Sequence, residues 1–337
     1  MYQEAIVSET TRQQGASSLD VSRETESSAE ALLGSAASAD ESTPLAAEVL
    51  ENVRRRIALE TAQFPKPSRT RIVTVANQKG GVGKTTSTVN LAAALAHGGL
   101  NVLVIDADPQ GNASTALGVD HRSGTPSIYE VLVEDLPIAE AIQTNPEFPA
   151  LLCVPATLDL SGAEIELVNL VSRETRLRRA LHRYLEHRRE TGDPDLDYVL
   201  VDCPPSLGLL TVNAFTAGDE VLIPIQCEYY ALEGLSQLIR TVELIRSHLN
   251  PTLRLSTILL TMYDARTNLA RQVANEVREH FPAQTLETTI PRSVRISEAP
   301  SYGQTVISYE PTSSGALAYR EAARELNMRA SAEGGAE

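Results

Sequence analysis

Lys79-Gly80-Gly81-Val82-Gly83-Lys84-Thr85-Thr86 gathers two lysines, three glycines and two hydroxyls into one short stretch. Glycines let backbone N–H groups turn inward around phosphate oxygens. A helix opening at the end of the stretch adds the partial positive charge of its N-terminus. In that arrangement Lys84 is placed for β- and γ-phosphates, and the Thr85 hydroxyl is placed for Mg2+. The usual pattern asks for a glycine five residues before Gly83, and that position holds Gln78. Lys79 stands beside it, so the loop carries a lysine at each end.

Carboxylates form the second group. Asp106 and Asp108 are two residues apart in "VLVIDADPQGNAS", so on an extended strand they share a face. Pro109 and Gly111 then end the strand. Asp108 is suited to orient or deprotonate an attacking water, and Asp106 to stand behind a metal ion. Asp202 closes the apolar run "DYVLVD", where a carboxylate holds Mg2+ through water. The plainer readings are an Asp-Pro turn and an ordinary strand end.

These groups need rigid elements to bring them together. β-branched runs at 71–77, 101–106, 151–156, 197–202, 220–225, 255–262 and 286–290 read as strands. Helical patterns lie between them, at 84–97, 128–143, 173–189, 231–248 and 267–280. Apolar strands alternating with helices predict a mostly parallel sheet covered on both faces. Loops at the carboxyl ends of such strands line the ligand crevice, where Lys84, Asp108 and Asp202 all fall.

Composition narrows the field. The chain has 337 residues, 42% of them hydrophobic, enough for a substantial core. Aromatics are 4% and Trp is absent, which argues against a stacking platform for single-stranded nucleic acid. The formal net charge of −15 disfavours polyanionic partners for the chain as a whole. Cys153, Cys203 and Cys227 are widely spaced and read as reduced, buried thiols. The opening "MYQEAIVSETTRQQ" lacks the apolar run of a signal peptide, and no segment reaches the length of a membrane span. A cytoplasmic protein is expected.

Residues 1–65 read as an acidic, Ser/Ala-rich extension, largely disordered. A helix is expected near 45–62, with Leu45, Val49, Val53 and Ile57 on one face and Arg54, Arg55 and Arg56 within it. The ordered domain is placed at 66–329, and 330–337 is read as a disordered tail.

"KGGVGKTT" with its early lysine resembles the deviant phosphate loop of the ParA/MinD group of ATPases. "DPQGN", "MYDARTNLARQVANEVREHF" and "IPRSVRISEAPSYGQTVISYEPTSSGALAYREAARE" resemble partition ATPases of the ParA (Soj) type, and the likeness spans roughly residues 69–328. The resemblance implies a three-layer α/β/α P-loop NTPase fold with ATP and Mg2+ as cofactors. It implies a homodimer in which Lys79 reaches the partner's ATP and Gly80 allows close backbone approach; a second contact from Lys79 to its own phosphates is the alternative. Lys79, Lys84 and Asp108 are then the catalytic residues, and hydrolysis is slow until a partner acts. Gly80, Gly81, Val82, Gly83, Lys84, Thr85 and Thr86 cradle the nucleotide with Lys79, and Pro291 lies beside the adenine. Thr85, Asp106 and Asp202 serve the metal. Arg266 and Arg295, with Arg292 and Arg271 as neighbours, are the expected contacts to non-specific double-stranded DNA. A ParB-type protein is the implied partner, and the nucleoid the implied location.

From the residues alone the DNA surface is less evident. Residues 254–295 carry six arginines, but also Asp264, Glu276, Glu279 and Glu287. The other classes weighed are a metabolic or redox relative, which would need cysteines bridging a cluster, and a MinD-like positioning protein for a membrane or a protein cargo. The C-terminal "ALAYREAARELNMRASAEGGAE" lacks the apolar stripe that such a membrane helix needs.

Overall fold

The computed structural model describes residues 44–60, 64–229 and 231–333. The chain divides into two units, Met1–Glu60 and Thr61–Glu337. In the first, helix α1 spans Pro44–Glu60, where a helix near 45–62 was expected. Leu50 and Leu59 are buried, Val53 and Ile57 half-buried, and Arg56 meets Glu60 one turn on at 3.4 Å. The preceding stretch, expected to be disordered, lies outside the described residues.

The second unit is built on eight strands: β1 (Arg71–Val75), β2 (Val102–Asp106), β3 (Gln143–Thr144), β4 (Leu151–Val154), β5 (Tyr198–Asp202), β6 (Glu220–Gln226), β7 (Arg254–Tyr263) and β8 (Thr285–Pro291). Their order in the sheet is β3-β4-β2-β5-β1-β6-β7-β8, and every pairing is parallel except that of β3 with β4. The seven expected strands are all present; β3, only two residues long, gave no sequence signal.

Alternation along the strands makes three layers. Val102 and Val104 face one core, with Val73, Val75 and Leu200. Helices α2 (Lys84–His97), α3 (Asn112–Ala116) and the final helix α13 (Ser314–Glu333) cover this face. Leu103 and Ile105 face the other core, with Val199, Val201 and Ile223. That face is covered by α4 (Ile128–Val133), α5 (Ile138–Ala141), α6 (Leu160–Leu167), α7 (Arg176–Thr191), α8 (Leu209–Ala217), α9 (Ala231–His248) and α10 (Asn268–His280). Short helices α11 (Val294–Glu298) and α12 (Val306–Tyr309) complete the unit. Each fully buried Leu, Ile or Phe on these faces stabilises the fold by about 1.5–3 kcal/mol. Two-sided burial explains why the strands read as continuous apolar runs.

The helix expected over 128–143 is broken. Ser127 starts α4 by accepting from the Tyr129 amide at 3.2 Å, while Glu130 accepts from the Ser127 amide at 2.8 Å. Asp135 then turns left-handed at φ 65°, and Pro137 cannot donate into a continuing helix. The last helix extends to Glu333, so residues 330–333, assigned to the tail, are helical; the remaining residues lie outside those described.

Strand starts are tied by a buried ion pair. Arg71 donates Nε to Glu220 Oε1 at 2.8 Å and Nη2 to Oε2 at 2.5 Å. Its Nη1 also donates to the Tyr198 hydroxyl at 2.8 Å and the Leu326 carbonyl at 3.0 Å. Burial opposes both charges, yet the pairing raises the Arg71 pKa and lowers that of Glu220.

Candidate active site

β1 delivers the chain to the loop at the carboxyl edge of the sheet, and α2 opens at Lys84. Gly81 and Gly83 adopt φ of 74° and 89°, conformations in which a Cβ is strained. These turns lead into the α2 N-terminus, whose free backbone amides favour an anion. Asn77 braces the entry: its Nδ2 donates to the Pro224 carbonyl at 2.8 Å, and its Oδ1 accepts from the Lys79 amide at 3.0 Å. Thr261, from β7, braces the exit by donating to the Val82 carbonyl at 2.8 Å. Gly80 has no atom of its own chain near a would-be Cβ, so nothing within this chain demands glycine there.

The two lysines part company. Lys84 is buried and donates to the Lys79 carbonyl at 3.4 Å. Burial lowers its pKa, and the charges of Asp202 and Asp108 offset this in part. Lys79 points outward and pairs with Glu228 at 2.8 Å, both side chains 48% exposed. The Lys79 ammonium is therefore half-exposed and held by Glu228, whereas that of Lys84 is buried.

The carboxylates converge across adjacent strands, with Asp106 on β2 in register with Asp202 on β5. Asp106 is saturated. Its Oδ2 accepts from the Ser114 amide at 2.8 Å and hydroxyl at 2.7 Å, and its Oδ1 accepts from the Asp108 amide at 3.2 Å. That geometry suits a supporting position rather than direct ligation. Burial, offset by the Ser114 bonds, raises its pKa to about 6. Asp108 is buried and accepts from the Gln110 amide at 3.0 Å, while Gly111, at φ 62°, turns the chain into α3.

Asp202 is the unsaturated member. Its Oδ1 accepts from the Thr88 hydroxyl at 3.1 Å, but its buried Oδ2 has no hydrogen-bond partner. Burial and the charge of Asp106 raise its pKa to about 8, against the Thr85 and Thr88 hydroxyls that hold it down. An orphaned carboxylate oxygen beside Thr85, below a phosphate-type loop, fits a divalent cation. Among the described residues no group of three or more His, Cys, Asp or Glu is arranged to hold a metal ion by itself. Such a sparse protein donor set suits Mg2+, which keeps waters and phosphate oxygens as ligands.

A cavity of about 450 Å³ adjoins the loop, lined by Gly83, Thr86, Thr261, Ile290, Pro291 and Ile296 among others. Apolar walls next to a phosphate loop suit a flat base. Met262, also in the lining, holds φ 50°, a strained backbone at the end of β7. Pro291 is thus in the wall where an adenine contact was expected, and Arg292 is at its rim.

Arg266 is 90% exposed and donates Nε and Nη2 to Asp264, each at 2.9 Å. Those bonds hold Asp264 down to about 2. Arg295 meets Glu298 at 3.1 Å, and Arg271 donates to Asn268. Each of Arg266 and Arg295 is thus partly neutralised by a neighbouring carboxylate.

Sequence reasoning missed Asn77, Thr88, Ser114, Thr261 and Glu228. Thr88 lies one helical turn beyond Lys84 on the same face, a signal that was readable. Thr261 and Glu228 act across the sheet and left none. Among the described residues, no helix is long and apolar enough to cross a membrane.

Comparison with known proteins bears on the family and the fold. The profile of an AAA domain matches residues 70–255. The sporulation initiation inhibitor protein Soj of Bacillus subtilis is 51% identical over 256 residues, covering 76% of this chain and 98% of the relative. The chromosome partitioning protein ParA of Myxococcus xanthus is 51% identical, over 77% of this chain and 88% of the relative. A crystal structure of cobyrinic acid a,c-diamide synthase from Mycobacterium smegmatis, with bound ATP analog and magnesium, superposes with a TM-score of 0.63 at 39% identity, over 75% of this chain and 93% of that one. A buried loop lysine, a second lysine turned outward and an orphaned strand-end carboxylate thus occur on a sheet shared with these proteins, and the chain belongs to the Soj/ParA family of chromosome-partitioning proteins.

Proposed function

We propose that the chain is an ATP-dependent partition ATPase whose ATP-bound homodimer binds nucleoid DNA without sequence preference and lets go on hydrolysis. The observation that carries this reading is the division of labour between the two lysines. Lys84 sits inside the loop and neutralises phosphate charge locally. Lys79 faces outward, and a single exposed pair with Glu228 restrains it, so it is available to a second copy's nucleotide. The open space over Gly80 leaves room for that second backbone.

ATP and Mg2+ are the ligands that the site fits. Gly81, Val82, Gly83 and Thr86 cradle the phosphates, and the apolar cavity at Pro291 takes the base. Thr85 and Asp202 would hold Mg2+, which would supply positive charge against the phosphates. Asp106 fixes the Asp108 amide and thereby the turn that carries the Asp108 carboxylate. Asp108 orients the attacking water and accepts its proton. With Lys79 supplied by the partner, a lone chain has an incomplete site, so basal turnover is slow. A ParB-type protein is the partner that accelerates it. Arg266, Arg292 and Arg295 supply DNA phosphate contacts, and dimerisation aligns two modest patches into one track.

The test is binding of the Asp108→Ala protein to random-sequence duplex DNA, with ATP and with ADP, across a salt series. Retention with ATP alone, weakening with salt and lost on substituting Arg266 and Arg295, is expected, together with phosphate release reduced about 10²- to 10⁴-fold. Unchanged phosphate release would remove Asp108 from the mechanism. A dimer that ignores DNA under every condition would overturn the nucleoid reading.

A further inference from the structure

Helix α7 holds the densest positive charge in an otherwise acidic chain. Six of the 29 Lys and Arg residues fall within its 16 residues, against Glu186 and Glu190 alone. Its inner face is apolar and buried, through Leu177, Ala180, Leu181 and Tyr184. Arg178, Arg179, Arg183 and Arg189 are therefore on the exposed face, while Arg176 and Arg188 are half-buried.

They are organised. Asp135, in the left-handed turn before α5, accepts from Arg183 at 2.8 and 3.2 Å, and lies 3.7 Å from Arg179 and 3.9 Å from Arg176. Three guanidinium groups share one carboxylate, so the cluster keeps an excess of positive charge. Arg178 and His182 join Arg179, Arg183 and Asp135 around an open cavity of about 470 Å³. Arg178 donates to the Leu249 carbonyl at 3.2 Å, which sets its stem without neutralising its charge.

This contrasts with the arginines that the family likeness singles out, of which Arg266 and Arg295 each face a carboxylate of their own. We propose that the α7 face around Arg178, Arg179 and Arg183 is a second phosphate-binding surface, which takes the backbone of duplex DNA. The ligand chemistry is a row of phosphodiesters, read by planar guanidinium donors without base contacts. A lipid surface fits less well, because the exposed side of α7 offers charge without an apolar stripe to insert. The inference rests on the DNA-binding reading above and adds where the contacts lie.

The experiment uses the full chain with ATP, random-sequence duplex DNA and a salt series, with dimer formation measured in parallel. Arg178→Gln with Arg179→Gln removes two phosphate contacts, so binding weakens about tenfold or more and the salt slope falls by about 2. Asp135→Asn does the opposite and tightens binding, because a competing negative charge is gone while asparagine tolerates the left-handed turn. Opposite signs from these two variants, with ATP-dependent dimers intact, support the surface. Wild-type binding that neither variant changes overturns the inference and leaves the DNA reading standing. Absence of duplex binding by the wild type overturns both. Phosphatidylglycerol vesicles captured through Arg178 and Arg179 in place of DNA would also overturn it.

Discussion

The two ends of the central strands treat buried charge in opposite ways. At the starts of β1, β5 and β6, Arg71 and Glu220 form a two-bond ion pair, joined by Tyr198 and closed by the Tyr198 hydroxyl donating to Asn327 at 2.9 Å. At the finishing end of β5, Asp202 keeps an oxygen with no partner. The same sheet buries both. A satisfied charge fixes the fold, whereas burial raises the Asp202 pKa to about 8, so that ionising it costs stability until a cation arrives. The contrast separates the end that holds the molecule together from the end that works.

The comparison breaks most visibly at the satisfied end. Glu220→Ala leaves the Arg71 guanidinium buried without its carboxylate, and denaturant melts should show a loss of about 3–5 kcal/mol. The Glu220 pKa is lowered by folding, so its contribution is complete above its ordinary value of 4.5 and fades as pH falls below that. A pH series on wild type and variant should show the gap between them closing on the acid side. A gap that persists unchanged at low pH would show that the pair is not its source.

Lys84→Ala attacks the working end and should reduce ATP turnover by about 10²- to 10³-fold, with nucleotide binding and ATP-dependent dimers lost. Normal dimers by light scattering would refute the loop assignment. Asp202→Asn sharpens the comparison, because its two effects have opposite signs. Replacing an orphaned buried carboxylate by a neutral amide should raise the ligand-free protein's stability by about 0.5–2 kcal/mol. The same change should abolish the further stabilisation that Mg2+ adds to nucleotide, as read in thermal shifts. The smallest structural effect belongs to Lys79→Ala. It removes only an exposed pair, so stability should move by less than about 1 kcal/mol while ATP-dependent dimerisation fails. A dimer that survives would assign Lys79 to its own nucleotide instead.

Much of this was legible in the chain. Seven strands and the main helices followed from apolar runs and helical periodicity, because strands buried on both faces leave little freedom in residue type. Errors fell where local geometry overrides pattern. Asp135 and Pro137 split a periodic stretch into α4 and α5, and the two-residue β3 is too short to carry a pattern. The basic face of α7 was visible as letters, yet its meaning depended on where Asp135 and the buried side of the helix fell.

The sequence by itself determined the phosphate loop, its odd leading lysine and the carboxylates at strand ends. Those features are local: a glycine-rich turn, a helix start and the two-residue period of a strand need no distant partner to be read. Only the tertiary structure decided the fate of each charge. Asp106 became saturated by Ser114, Asp202 stayed orphaned, and Lys79 was drawn to Glu228. The physical reason is that the state of a charged group is set by its solvation and neighbours, and chain folding brings those together from positions that sequence spacing does not relate.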